Sequence, residues 1–128
     1  MEPRDLLVVE DDPELNQLVG AYAEMAGFRY RRALNGTDAL AEIERLIPAA
    51  IVLDLMLPDM SGFDLCAQVK CVARTHHIPV IILTALDSDS SRRRGRECGA
   101  AEYLTKPFDT DVLMETISRC ANGNCGRS

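Results

Sequence analysis

The chain has 128 residues, 47% hydrophobic and 27% charged, a balance that suits one globular domain with a single core and leaves no room for a second. Its net charge of -6 argues against nucleic-acid binding through the overall field, which rests on an excess of Lys and Arg. No apolar stretch nears the roughly 20 residues of a spanning helix, and the N-terminus lacks a signal-peptide pattern, so the expectation is a cytoplasmic protein without membrane contact.

Asp5-Leu6-Leu7-Val8-Val9 is a short apolar run that stops at the acids Glu10-Asp11-Asp12. Pro13 stands where a helix can begin, with Asp12 as its cap, and Leu15, Leu18, Val19, Tyr22 and Ala26 have the spacing of one helical face. Gly27 ends that helix. Residues 28–34 mix aromatic and basic side chains as an edge strand does. Asn35-Gly36 then leads into a helical face of Ala39, Leu40, Ile43 and Leu46, which Pro48 closes. The run Ala49-Ala50-Ile51-Val52-Leu53 reads as a strand buried on both faces, and it delivers Asp54 into a Leu-Met-Leu-Pro turn.

Ser61-Gly62 turns the chain into a weakly amphipathic helix over residues 63–73 that carries Cys66 and Val69. Ile78-Pro79-Val80-Ile81-Ile82-Leu83 is a further buried strand, ending at Thr84. Residues 88–98 differ in kind: Arg92, Arg93, Arg94 and Arg96 surround an interior Gly95 with almost nothing apolar, which predicts a shallowly docked, mobile helix. The arginines read most simply as a solvated face, and His76-His77 as an exposed loop. Ala101 to Thr105 forms a last short strand, Lys106-Pro107-Phe108 breaks the chain, and Asp109 caps a helix with Val112, Leu113, Ile117 and Cys120 inward. A frayed tail follows. The five cysteines, Cys66, Cys71, Cys98, Cys120 and Cys125, show no C-x-x-C pair and no His at metal spacing, and read as buried or incidental thiols.

This alternation of five strands and five helices implies a parallel sheet with helices on both faces. Ligands in such sheets gather outside the carboxyl ends of the strands. Glu10-Asp11, Asp54 and Thr84 all stand at such ends, and Lys106 follows another. Asp54 alone is equally a turn residue; the matching strand ends make it a candidate site. Two carboxylates about 4 Å apart repel by about 4 kcal/mol at an effective dielectric near 20, so three together call for a cation or raised pKa values. Oxygen-only ligands point to a hard ion such as Mg²⁺. Lys106 and Thr84 supply the positive charge and hydroxyl donor that suit a phosphoryl group on Asp54.

Five segments in order, Leu7-Val8-Val9-Glu10-Asp11-Asp12, Leu53-Asp54-Leu55-Met56-Leu57-Pro58-Asp59-Met60-Ser61-Gly62, Leu83-Thr84-Ala85, Gly99-Ala100 and Tyr103-Leu104-Thr105-Lys106-Pro107-Phe108, resemble the receiver domain of bacterial response regulators. The resemblance implies a flavodoxin-like three-layer α/β/α fold with strand order 2-1-3-4-5, a receiver over residues 1–122 and a tail over 123–128. It implies a phosphorylation-activated signalling switch in which Asp54 is the phosphoacceptor. Glu10, Asp11, Asp54 and the backbone carbonyl of Met56 would then hold Mg²⁺, with Asp11 the more direct ligand. Thr84 and Lys106 would engage the phosphoryl group, Tyr103 would be the switch aromatic, and the Lys106-Pro107 peptide would be cis.

The implied partner is a sensor histidine kinase or a phosphotransfer protein, with an output domain outside this chain or a separate protein target. The resemblance also allows a phosphorylation-dependent homodimer. Ala101, Val112, Thr116 and Ser118 stand where receivers joined to winged-helix domains mostly place the charges of their dimer face, which argues against that particular dimer. Met56 and Leu86 are apolar at two positions that commonly tune phosphate lifetime, and slow dephosphorylation is expected. Two rivals fare worse. A phosphatase of the haloacid-dehalogenase type needs an acid two residues after its nucleophile, where Met56 stands, and a flavin-binding module needs a Ser/Thr/Gly-rich loop after the first strand. The protein is therefore not expected to turn over a separate substrate.

Overall fold

The computed structural model describes residues 4–123; Cys125 and most of the expected tail lie outside them. Five strands, β1 (Asp5–Val9), β2 (Arg29–Ala33), β3 (Ala50–Leu53), β4 (Val80–Thr84) and β5 (Glu102–Thr105), alternate with α1 (Pro13–Met25), α2 (Gly36–Arg45), α3 (Gly62–Cys71), α4 (Asp89–Glu97) and α5 (Thr110–Ala121). The strands are parallel in the order β2-β1-β3-β4-β5. This is the parallel sheet expected from the alternation, in the flavodoxin-like strand order that the resemblance implies, so every strand delivers its last residue to the same edge.

Each helix starts on a short polar cap: Asp12, Asn35, Ser61, Ser88 and Asp109 accept hydrogen bonds from the otherwise unpaired first-turn amides. The inner strands are apolar on both faces because both are covered. Leu6, Val8, Val52, Ile81 and Leu83 pack under α1 and α5, while Leu7, Val9, Ile51, Leu53 and Val80 pack under α2 and α3. A smaller cluster of Leu55, Phe63 and Ile82 meets Tyr103 and Cys98 below α4. The arginine-rich α4 buries one residue, Gly95. A Cβ there would lie 2.8 Å from the Tyr103 ring, so the missing side chain is what lets a helix with no apolar face approach the sheet.

Three inward faces differ from those the apolar spacing predicts. On α1, Leu18 is 46% exposed and Ala26 is exposed, while Asn16, Val19, Gly20 and Ala23 point inward. The stripe is turned because Asn16 is fully satisfied inside: its Nδ2 donates to the carbonyls of Val8, Glu10 and Ala33 at 3.0, 3.1 and 3.1 Å, and its Oδ1 accepts from the Tyr30 hydroxyl. On α5, Val112 is exposed and Thr116 takes the inward place, its hydroxyl paired with the Val112 carbonyl at 2.8 Å. Leu46 is also exposed, because α2 ends at Arg45 and the chain turns extended.

Asn16→Leu fills the same volume but removes the Nδ2 donor shared by three strand-end carbonyls, of which Ala33 keeps the Glu10 amide, and the acceptor of the Tyr30 hydroxyl. We expect a loss of about 2–3 kcal/mol in urea denaturation, and a smaller loss for Tyr30→Phe, which leaves the carbonyls paired. Equal losses would mean that the bonds from Asn16 to the strand ends contribute nothing to stability.

Candidate functional site: a carboxylate cluster at the sheet edge

Glu10 follows β1, Asp54 follows β3, Thr84 ends β4 and Lys106 follows β5. The ladder carries the first two into position: the Glu10 amide donates to Ala33 at 3.1 Å and the Asp54 amide to Val9 at 3.0 Å. One carboxylate oxygen from each of Glu10, Asp11 and Asp54 lies within 4.8 Å of the others. Glu10 and Asp54 are buried and Asp11 is exposed. Lys106 Nζ reaches across from the far strand, 2.5 Å from Glu10 Oε1 and 2.8 Å from Asp54 Oδ2. Its peptide bond to Pro107 is cis.

The buried Thr84 hydroxyl accepts from the Leu86 amide at 3.4 Å and, beside Asp54, helps to lower its carboxyl, while the Met56 amide donates to Asp54 Oδ1 at 3.2 Å. Met56 itself is exposed. Tyr103 is half-buried on β5; its hydroxyl donates to the Leu86 carbonyl at 2.6 Å and the Arg92 guanidinium lies 5.1 Å from its ring centre. The residues named from sequence thus meet at one edge, except that Tyr103 sits beside it, against α4 and the loop after β4.

The proton is divided unevenly among these groups. Burial pushes the Glu10 carboxyl up to about 7, outweighing the Lys106 ammonium that lowers it. Burial also acts to raise Asp54, but hydrogen bonds from Lys106 and the Met56 amide overcome it and hold Asp54 below the usual carboxylate value. Burial would lower Lys106; its bonds to Asp54 and Glu10 win and raise it. The cluster therefore carries more negative charge than one lysine neutralises, and its all-oxygen donor set fits a hard divalent cation.

Glu10 makes stability depend on pH with a fixed sign. Its folded pKa lies above its unfolded value of 4.5, so the folded state binds the extra proton and stability falls as pH rises from 4.5 to about 7. In chelator, urea denaturation at pH 5 and pH 8 is expected to differ by up to about 3 kcal/mol, with Glu10→Gln abolishing the Glu10 share. A Glu10→Gln profile identical to that of the wild type would refute this assignment.

Two contributors escaped the sequence reading. Asp59 accepts from the Gly36 amide at 2.8 Å, the Thr37 amide at 2.9 Å and the Thr37 hydroxyl at 2.7 Å, and these bonds pull its pKa to about 2. It pins the loop after Asp54 to the positive N-terminus of α2. The legible signal was an acid in a Pro turn alongside an Asn-Gly-Thr helix start. Gly62 is the second. A Cβ there would lie 2.4 Å from the Asp54 carbonyl oxygen and 2.6 Å from Leu55 Cα, so the start of α3 can rest directly on the backbone that carries Asp54.

The family description "Response regulator receiver domain" matches residues 6–118. The chain is a response regulator receiver domain. Over 112 residues the receiver is 39% identical to the DNA-binding dual master transcriptional regulator RpaA of Synechocystis, covering 88% of this chain and 46% of that protein. It is 34% identical to Protein PilH of Pseudomonas aeruginosa, covering 92% of this chain and 98% of PilH. Among solved structures, the BeF3-activated receiver domain of DrrB, from Thermotoga maritima, superposes with a TM-score of 0.85 at 32% identity, covering 94% of this chain and 99% of that one. The receiver spans about half the length of several of its curated relatives, which carry further sequence. Receiver domains act as phosphorylation-activated signalling switches and generally bind Mg²⁺. Among the described residues, no helix is long and apolar enough to cross a membrane.

Proposed function

We propose that Asp54 accepts a phosphoryl group from the phosphohistidine of a partner kinase or phosphotransfer protein. The supporting observation is the Asp54 carboxylate itself, held ionised by Lys106 at 2.8 Å and by Thr84, with Glu10 and Asp11 close enough to share a cation with it. A carboxylate oxygen of Asp54 forms the new bond to phosphorus as the bond from phosphorus to the histidine nitrogen breaks, and that nitrogen keeps the electron pair. Glu10, Asp11, Asp54 and the Met56 carbonyl hold Mg²⁺ in this reading. The ion, when bound, neutralises charge on the carboxylates and the incoming phosphoryl oxygens. Lys106 stays on the phosphoryl group as its counter-charge. Thr84 turns its hydroxyl to donate to a phosphoryl oxygen.

The movement of Thr84 frees space behind it, and Tyr103 turns inward from its bond to Leu86. The face that changes is built by Tyr103 and α4, and a target or output domain reads it. No group stands two residues after Asp54 to act as a general acid, since Met56 is there, so the domain holds the phosphoryl group rather than passing it to water rapidly.

With acetyl phosphate and Mg²⁺ the intact chain should gain the mass of one phosphoryl group, lose it on treatment with hydroxylamine, and gain none in chelator. Small phosphate esters should not be turned over. Uptake independent of a divalent cation, or steady hydrolysis of such esters, would overturn the reading.

A further inference from the structure

Folding brings together two thiols that lie far apart in the chain and outside the carboxylate site. Cys66 sits on the inward face of α3 with no exposed surface, and Cys98 caps the end of α4 with part of its surface open to solvent. Cys66 Sγ donates to the Cys98 carbonyl oxygen at 3.4 Å, which brings the two cysteines side by side under the end of α4. The Ala100 amide donates to the Gly95 carbonyl at 3.1 Å, and Arg94 stands near the Cys98 sulfur. Cys98 Sγ in its thiol form donates to the Gly95 carbonyl at 3.1 Å. The two sulfurs differ in chemistry as well as in access. The neighbouring Cys66 thiol, then nearby backbone amides and Arg94, pull the Cys98 thiol down to about 7, whereas the Cys98 neighbour and burial push Cys66 up. One member of the pair is thus open to solvent and disposed to ionise, and the other waits behind it as a thiol.

We propose that Cys66 and Cys98 form a peroxide-responsive dithiol, with Cys98 the attacking sulfur and Cys66 the resolving one, closing a disulfide between α3 and the end of α4. The oxidant is hydrogen peroxide. The Cys98 thiolate attacks one peroxide oxygen; the S–O bond forms, the O–O bond breaks, and the departing hydroxide takes a proton to become water. The Cys66 sulfur then attacks the Cys98 sulfenic sulfur. The S–S bond forms, the S–O bond breaks, and the hydroxyl leaves with the Cys66 proton as a second water. Two thiols lose two electrons in all, and one peroxide is reduced to two waters. The product fastens α4 covalently to α3, where Gly95 is otherwise the one α4 residue buried.

The chain's own cleavage sites make the test direct. Trypsin places Cys66 in residues 46–70, Cys71 in 71–74, Cys98 in 97–119 because Lys106 precedes Pro107, and Cys120 with Cys125 in 120–127. The intact chain is treated with hydrogen peroxide, its remaining thiols are alkylated, and the digest is analysed without reduction. The expected product joins 46–70 to 97–119, weighs two hydrogens less than the sum of its parts, and separates again in dithiothreitol. In Cys66→Ala, Cys98 has no resolving partner and should instead gain two oxygens as sulfinic acid. Cys66 still fully alkylatable after Cys98 is oxidised, or joined peptides that pair Cys98 with Cys71 or the 120–127 peptide, would overturn the proposal. The readout counts thiols and needs no phosphoryl transfer, so it stands or falls apart from the role of Asp54.

Discussion

Asp54→Asn is expected to take up no phosphoryl group from acetyl phosphate under conditions that label the wild-type chain, while keeping the same fold. The carboxamide has nearly the shape of the carboxylate but neither its charge nor its nucleophilic oxygen, and the Asp54 amide keeps its ladder bond to Val9. A second effect distinguishes loss of the acceptor from general damage. Asp54 is one of the charges that raise Glu10, and Lys106 divides its bonds between the two carboxylates. With residue 54 neutral, Lys106 pairs with Glu10 alone, so the Glu10 titration followed by NMR should move down from about 7. Phosphoryl uptake persisting in Asp54→Asn would place the acceptor on another residue and sink the proposed chemistry.

Lys106→Met should be the most costly single change in the site. It keeps the length of the side chain and removes the ammonium from two buried carboxylates at 2.5 and 2.8 Å. Breaking a buried pair by deleting one partner leaves an uncompensated charge, and about 2–4 kcal/mol of stability is expected to be lost at pH 8 in chelator. The loss should shrink at pH 5, where Glu10 takes a proton, and shrink again when Mg²⁺ is added. Phosphoryl uptake should slow by roughly a hundredfold, the scale on which removal of one charge-stabilising donor acts. Asp54→Asn placed in the same chain should recover part of the lost stability, because it removes one of the two charges left stranded. Strict additivity of the two changes would mean that Lys106 and Asp54 do not act as a pair.

The parallel sheet and the edge where the site forms were legible because parallel strands covered on both faces leave unbroken apolar runs that end in polar residues, while the order of the strands came from the family resemblance. The clustering of Glu10, Asp11, Asp54, Thr84 and Lys106 follows from that edge. What the apolar pattern missed was polar or absent side chains placed inside. Asn16 and Thr116 are buried because backbone groups complete their hydrogen bonds, and no hydropathy pattern registers a satisfied polar atom. Gly62 and Gly95 matter through the atoms they lack. Asp59 matters through a helix 22 residues away in sequence, a pairing that appears only once α2 and the loop after β3 are side by side. The roles assigned to Met56 and Tyr103 rest on family resemblance.

The two buried carboxylates are held through their own amides, Glu10 to the Ala33 carbonyl and Asp54 to the Val9 carbonyl, whereas α4 buries a single glycine against the sheet. Seen through hydrogen exchange, the domain then runs on two clocks. The amides of Glu10 and Asp54 should exchange only when the sheet itself opens, and those of Arg92 to Arg96 through openings cheaper by about 3 kcal/mol or more. Chemistry at the edge is thereby kept in the slowest part of the molecule and its report in the fastest. If Asp54 takes the phosphoryl group as proposed, a signal written there is displayed by α4 many times over without disturbing the groups that hold it.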